Sequence, residues 1–151
     1  MNFLMRITII DLQIEDIMWF AIDKNGCVIE FTTGGRADVP EFVCRSKEET
    51  ELLEEFFMNL PVGFSNAELL IDRDGSPLAT DSEALAKKGI FCFDACSEFD
   101  YEYMYGYYKI AYPDKTLHLL DLPQNIRNIM ADHIIDVDVS ETDRITVKHA
   151  Y

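Results

Sequence analysis

Asp72, Asp74, Ser76 and Glu83 stand at positions 1, 3, 5 and 12 of a twelve-residue window, the ligand spacing of an EF-hand calcium loop. The window fails at position 6, where the sharp turn needs glycine and the chain has Pro77, with φ held at about −65°. An EF-hand is therefore not expected. Cys27, Cys44, Cys92 and Cys96 include no C-x-x-C pair, so free buried thiols are expected in place of a zinc knuckle or a disulfide framework. His118, His133 and His149 lack H-x-x-x-H spacing and are read as surface or hydrogen-bonded histidines. Asp136 and Asp138 share one face of an expected strand, and Asp94, Glu98, Asp100 and Glu102 lie close in sequence. Paired carboxylates do acid–base or metal-assisted work only at a defined separation in a pocket. In a chain with 28 acidic residues such pairs arise by chance. There is no G-x-S-x-G elbow, and Gly34-Gly35 lacks the lysine and helix start of a phosphate cradle. These residue types point to a protein that is not an enzyme and takes no cofactor or metal.

Two other stretches carry the chemistry of binding. Extended, the run from Tyr101 to Tyr107 places Tyr101, Tyr103, Tyr105 and Tyr107 on one face and Glu102 and Met104 on the other. Tyrosine offers large amphipathic contact area at low entropic cost, and beside Asp100 and Glu102 it suits a partner bearing Arg and Lys. The second stretch is a helix with Glu48, Glu51, Glu54 and Glu55 on its polar side. The candidate partner-binding residues are Glu51, Glu54, Glu55, Asp100, Tyr101, Glu102, Tyr103 and Tyr105. A plain solvated helix face and an ordinary packed strand compete with this reading.

The charge balance gives the binding reading a sign. With 28 Asp and Glu against 13 Lys and Arg the net charge is −15, spread over both halves of the chain. Such a field opposes nucleic acid and favours encounter with a basic protein. The 151 residues, 48% hydrophobic, suit one globular domain over 1–151. No apolar run reaches the ~20 residues that span a bilayer, and the first residues read as a strand and not as a signal peptide, so a cytoplasmic protein is expected.

The elements that must position these residues are read as follows. Met5 to Ile10 is a strand with an acidic link after it. Trp19 to Phe31 is a hairpin, with Asn25-Gly26 in a type I′ turn. Ser46 to Glu49 is a capping box for a helix to about Asn59, with Leu52, Leu53, Phe56, Phe57 and Leu60 on its apolar face and Pro61 as its stop. The stretch 62–71 is open between helix and strand. A second helix runs from Thr80 through Lys88 to Gly89, and Ile90 to Ala95 is a strand. After Gly106 the apolar phase passes to Tyr108, Ile110 and Tyr112. Leu117 to Leu122 is a strand, Gln124 to Ala131 a short helix after Pro123, and Ile134–Val139 with Arg144–His149 a closing hairpin. Helices and strands do not alternate regularly. The expected class is α+β, an antiparallel sheet of about six to eight strands with two or three helices packed against it.

Trp19-Phe20-Ala21-Ile22-Asp23, Gly26 and Phe31-Thr32-Thr33-Gly34-Gly35, with Leu117-His-Leu-Leu-Asp-Leu-Pro123 later, resemble a pattern of small bacterial proteins, some similar to immunity proteins of polymorphic-toxin systems. The chain departs from that pattern at Cys27 and in its tyrosine run. The resemblance implies a cytoplasmic protein that neutralises a toxin by binding it, and the −15 charge suits a basic toxin such as a nuclease. The alternative is a small-ligand-binding or enzymatic domain with a carboxylate-lined pocket near the Gly34-Gly35 loop. A deep pocket with convergent, perturbed acids favours the alternative, and a flat acidic surface favours occlusion.

Overall fold

Strand Met18–Ile22 (β1) and strand Val28–Thr32 (β2) pair antiparallel in the register Trp19↔Phe31 and Ile22↔Val28, which is the expected hairpin. The computed structural model describes residues 4–35, 38–70, 77–95 and 106–151, with side chains from 81 onward in the helix that starts at Pro77. The turn is not type I′. Among the described residues positive φ occurs at glycines alone, so Asn25 is not left-handed, whereas Gly26 has φ 86°. Asp23 is the cause: its Oδ1 accepts the amides of Asn25 and Cys27, both at 2.9 Å, and its carbonyl accepts the Gly26 amide at 3.0 Å. That side chain selects a tighter first turn followed by a glycine bulge.

The other edge of β2 pairs in parallel with Phe91–Ala95 (β4), Ile29 opposite Phe91 and Thr32 opposite Asp94. Parallel neighbours need a crossover. Here it runs through helices Glu41–Cys44 (α2) and Lys47–Asn59 (α3), strand Ala67–Leu69 (β3) and helix Pro77–Ala86 (α4). Strand β4 then pairs antiparallel with Tyr107–Pro113 (β5), and the far edge of β5 takes both β3 and Arg144–Ile145 (β6). The strand order is β1-β2-β4-β5-β3 with β6 on β5. The class is α+β with six described strands. The sheet is mixed and not wholly antiparallel, because β2 and β4 run the same way. Five α-helices are described, against an expected two or three; the other two are Ile9–Ile14 (α1) and Gln124–Met130 (α5).

Several local expectations are corrected. Met5–Ile10 is not a strand: the Thr8 hydroxyl accepts the Asp11 amide at 3.1 Å and the Asp11 carboxylate accepts the Thr8 amide at 2.9 Å, a capping box that starts α1 inside a β-branched run. Leu117–Leu122 holds a 3₁₀ turn, because the His118 ring accepts the Leu120 amide at 3.1 Å and the Asp121 carboxylate accepts the His118 amide at 2.9 Å. The closing hairpin is absent. Ile134 bridges Ile22 in parallel, Asp138 caps a 3₁₀ turn at Val139–Glu141, and β6 joins β5. Helix α4 starts at Pro77 and not at Thr80, a first-turn position that proline tolerates. Ser46 caps α3 by accepting the Glu49 amide at 3.1 Å, but its own amide bonds Val43 O at 3.4 Å, so the reciprocal half of the box is not made. On α3, Leu53 and Phe57 are buried while Leu52 is exposed, which narrows the expected apolar face.

The sheet is covered on both faces, which explains why its central strands are buried at successive residues. On one side Trp19, Phe31, Phe93 and Tyr107 pack with α2 and the C-terminal segment. On the other Phe20, Val28, Cys92 and Ile110 pack with Leu53, Phe57, Leu85, Ile126 and Met130 from α3, α4 and α5. Tyr107, Ile110 and Ala111 are therefore fully buried in β5, and Tyr108 and Tyr112 half-buried, so the expected apolar phase of Tyr108, Ile110 and Tyr112 holds at Ile110 and not at the two tyrosines. Trp19 stacks on Phe31 with centroids 4.0 Å apart, and its Nε1 donates to the Tyr107 hydroxyl at 3.1 Å.

Candidate functional site: an acid-lined pocket

Glu30 sits in the middle of β2 and is 1% exposed. Side chains alternate across a strand, so Val28, Glu30 and Thr32 share the face that lies under α3 and α4. Above Glu30 the helices do not close completely and leave a pocket of about 410 Å³. Its floor is Glu30, Thr32, Ser82 and Leu85; its mouth is formed by Asp16, Glu54 and Asp81, with Met18 at the side. Among the described residues four carboxyl groups and no Lys, Arg or His line it.

Each carboxylate is positioned by local structure. Asp16 follows α1, and its Oδ1 accepts the Gly34 amide at 2.8 Å. The Gly34-Gly35 loop is tied down from the other side too: the Thr33 hydroxyl accepts the Ile17 amide at 2.9 Å. Glu54 reaches the mouth from α3 and Asp81 from α4. At the floor the Thr32 hydroxyl donates to Glu30 Oε1, and the buried Cys92 thiol lies against the same carboxyl.

The electrostatics follow from this crowding. Burial pushes the Glu30 carboxyl up to about 8; the Thr32 and Cys92 hydrogen bonds pull it back in part, and the negative charges of Asp94 and Asp16 add to the rise. Burial, then Glu51, then Asp16 raise Glu54. The Cys92 thiol is pushed up by burial, with Glu30 beside it. A protonated acid thus lies below a ring of negative charge, a setting that attracts an ammonium or guanidinium group.

Of the residues singled out in the sequence, the structure brings Glu54 to the mouth and Glu51 beside it, where both line a smaller hollow with Asp16. Glu55 opens on the other flank of α3, into a shallow groove with Leu60 and Ile126. Asp100, Tyr101, Glu102, Tyr103 and Tyr105 lie outside the described residues, as do Cys96 and the window from Asp72 to Ser76. Sequence reasoning missed Glu30, Asp16 and Asp81. The available signal was a glutamate inside the apolar run Val28-Ile29-Glu30-Phe31.

Elsewhere the chemistry is sparser. Among the described residues no three His, Cys, Asp or Glu side chains are grouped to hold a metal ion. His118 bonds Asn25 O through Nε2 at 2.7 Å, and buried His133 stacks on Phe42 and contacts Phe20 O through Nδ1. A wider groove of about 710 Å³ between Phe42, Val137 and Val147 carries Glu41, Asp136 and Lys148, charges of both signs. Among the described residues no helix is long and apolar enough to cross a membrane.

The fold and site define an α+β domain with an acidic pocket between its sheet and two helices. Compared with models of known families, with curated proteins and with solved structures, the chain matches none.

Proposed function

We propose that this is a non-enzymatic acidic binding protein that occludes a basic protein partner, in the manner of a toxin-neutralising immunity protein. The observation that carries the reading is the pocket of Asp16, Glu30, Glu54 and Asp81, lined by no cation among the described residues and flanked by Glu51. A lysine or arginine entering it exchanges water for several carboxylates at once, and the −15 charge steers a basic partner toward it. Co-expression with a toxin encoded by the neighbouring gene tests this. The expected result is rescue of growth and a complex that weakens steeply as salt rises. No rescue, and no complex at low salt, would sink the reading.

A second reading is favoured by the enclosure of the pocket and by the bond from Asp16 to the Gly34-Gly35 loop. In it the site holds a small cationic ligand unaided. Calorimetry with spermidine and with arginine separates the two: tight binding of either amine by the isolated protein supports the second, and its absence supports the first.

A further inference from the structure

Helix α1 lies on the surface with its apolar side outward. Ile9, Ile10 and Ile14 are 50%, 62% and 73% exposed, and Leu12 alone of its apolar residues packs partly onto the core. Ile10 and Ile14, one turn apart, form a stripe. Met5, 64% exposed, lies on the preceding segment, whose backbone is bonded to the start of α3 through Glu48 and Lys47. Contiguous exposed apolar surface rimmed by polar groups marks interaction sites.

The rim here is acidic. Past Ile14 the chain runs through Glu15 and Asp16 straight to the pocket mouth, Glu51 and Glu54 of α3 flank the path, and Glu48 accepts the Met5 amide behind it. Lys47 stands among them, 4.0 Å from Glu15. A second copy of the chain is a poor occupant, since each copy carries −15 and would bring a like-charged rim against this one. A basic protein matches the charge, and the apolar stripe tells what lies between its basic residues.

We infer that α1 and the acid-lined pocket are one docking surface, on which a basic protein partner lays an apolar side chain against Ile10 and Ile14 while a neighbouring lysine or arginine enters the pocket. This rests on the binding reading above and adds the apolar centre that such an interface needs, with the carboxylates as its rim.

The test uses two synthetic peptides of equal charge, one alternating Leu with Lys and one alternating Ser with Lys, and reads affinity by fluorescence anisotropy at low salt. The wild-type protein is expected to bind the Leu–Lys peptide about tenfold more tightly than the Ser–Lys peptide. Ile10→Ser with Ile14→Ser abolishes that preference and leaves the Ser–Lys affinity unchanged. Glu54→Gln with Asp81→Asn weakens both peptides by a similar factor. All four positions are exposed, and unchanged thermal melts verify folding. Equal binding of both peptides by the wild type, or a preference that survives the isoleucine changes, overturns the docking surface and leaves the basic-partner reading intact. Binding of neither peptide overturns both. A wild-type dimer in sedimentation that the isoleucine changes dissociate would assign α1 to a second copy and overturn the inference as well.

Discussion

Asp16 and Gly34 hold each other: Asp16 Oδ1 accepts the Gly34 amide at 2.8 Å, so the loop that ends β2 and a carboxylate at the pocket mouth form one unit. Gly34 supplies the required backbone, with φ 59°. Asp16 also adds negative charge at both Glu30 and Glu54. Removing that charge relaxes its neighbours. Asp16→Asn is expected to lower the titration midpoint of Glu54, and Glu51→Gln to do the same, both read by carboxyl carbon NMR. A midpoint unmoved in both variants argues that burial alone sets Glu54.

Glu30 makes stability depend on pH. Unfolded, its carboxyl loses the proton near the ordinary 4.5; folded, it keeps it to about 8. Its contribution is therefore complete below about 4.5 and is lost as pH rises through 8, at no more than about 1.4 kcal/mol per pH unit. Glu30→Gln removes the titration and keeps an acceptor for Thr32. The stability of the wild type relative to this variant is expected to fall between pH 5 and 8. The difference is the quantity to read. Asp114, held down to about 2 by Ser65 and then Asn66, works in the opposite sense at acid pH in both proteins. Parallel pH profiles for the two proteins would refute the assignment.

Asp23 joins three segments. Buried at 2% exposure, it accepts the amides of Asn25 and Cys27 on one oxygen and of Val139 on the other, each at 2.9 Å. Asp23→Ala removes the acceptor of the buried Val139 amide and of the part-buried Asn25 and Cys27 amides, and is expected to cost about 3 kcal/mol in denaturant unfolding. Gly26 is equally constrained: a Cβ there would meet His118 Nε2 at 2.4 Å, in a backbone at φ 86°. Gly26→Ala is expected to cost about 1–3 kcal/mol, and adding His118→Ala to recover only the steric part of it. Full recovery would show that the backbone conformation costs nothing.

Tyr107 completes a chain of hydrogen bonds from Trp19 Nε1 through its own hydroxyl, which donates to Asp38 O at 2.8 Å. Tyr107→Phe leaves the ring packing and orphans the indole N–H. A loss of about 1–3 kcal/mol is expected, with a shift in the emission of Trp19, the chain's single tryptophan. Unchanged emission and stability would argue that the hydroxyl is incidental.

The stretches 19–35 and 117–123 meet in space. The Val28 amide donates to Leu117 O at 3.0 Å and the Leu119 amide to Gly26 O at 2.8 Å, with the His118 ring against the turn. Their spacing therefore reads as structural: Asp23 and Gly26 shape the turn, and His118 with Asp121 shapes the 3₁₀ turn that closes on it.

What was legible in the chain was local. The hairpin, α3 with its Ser46 cap, α5 and the Gly89 stop each rest on neighbours within a few residues, and periodicity and capping act at that range. The misread segments were local as well, where Thr8–Asp11 and His118–Asp121 boxes outweighed apolar alternation; those signals were present and unread. The acidic glutamates of α3 were visible, but not which of them converge: Glu54 and Glu51 do, and Glu55 faces the other flank.

By itself the sequence determined the sign of the surface, the α+β class, the hairpin and a carboxylate-bearing helix. Only the tertiary structure decided that β2 lies between β1 and a parallel β4, with helices over both faces, and this turns Glu30 from an outward strand residue into the floor of a pocket. The reason is physical. A glutamate's pKa and reach are set by burial and by charges brought from Asp16, Asp94 and α3, and those neighbours arrive through a crossover that no local pattern encodes.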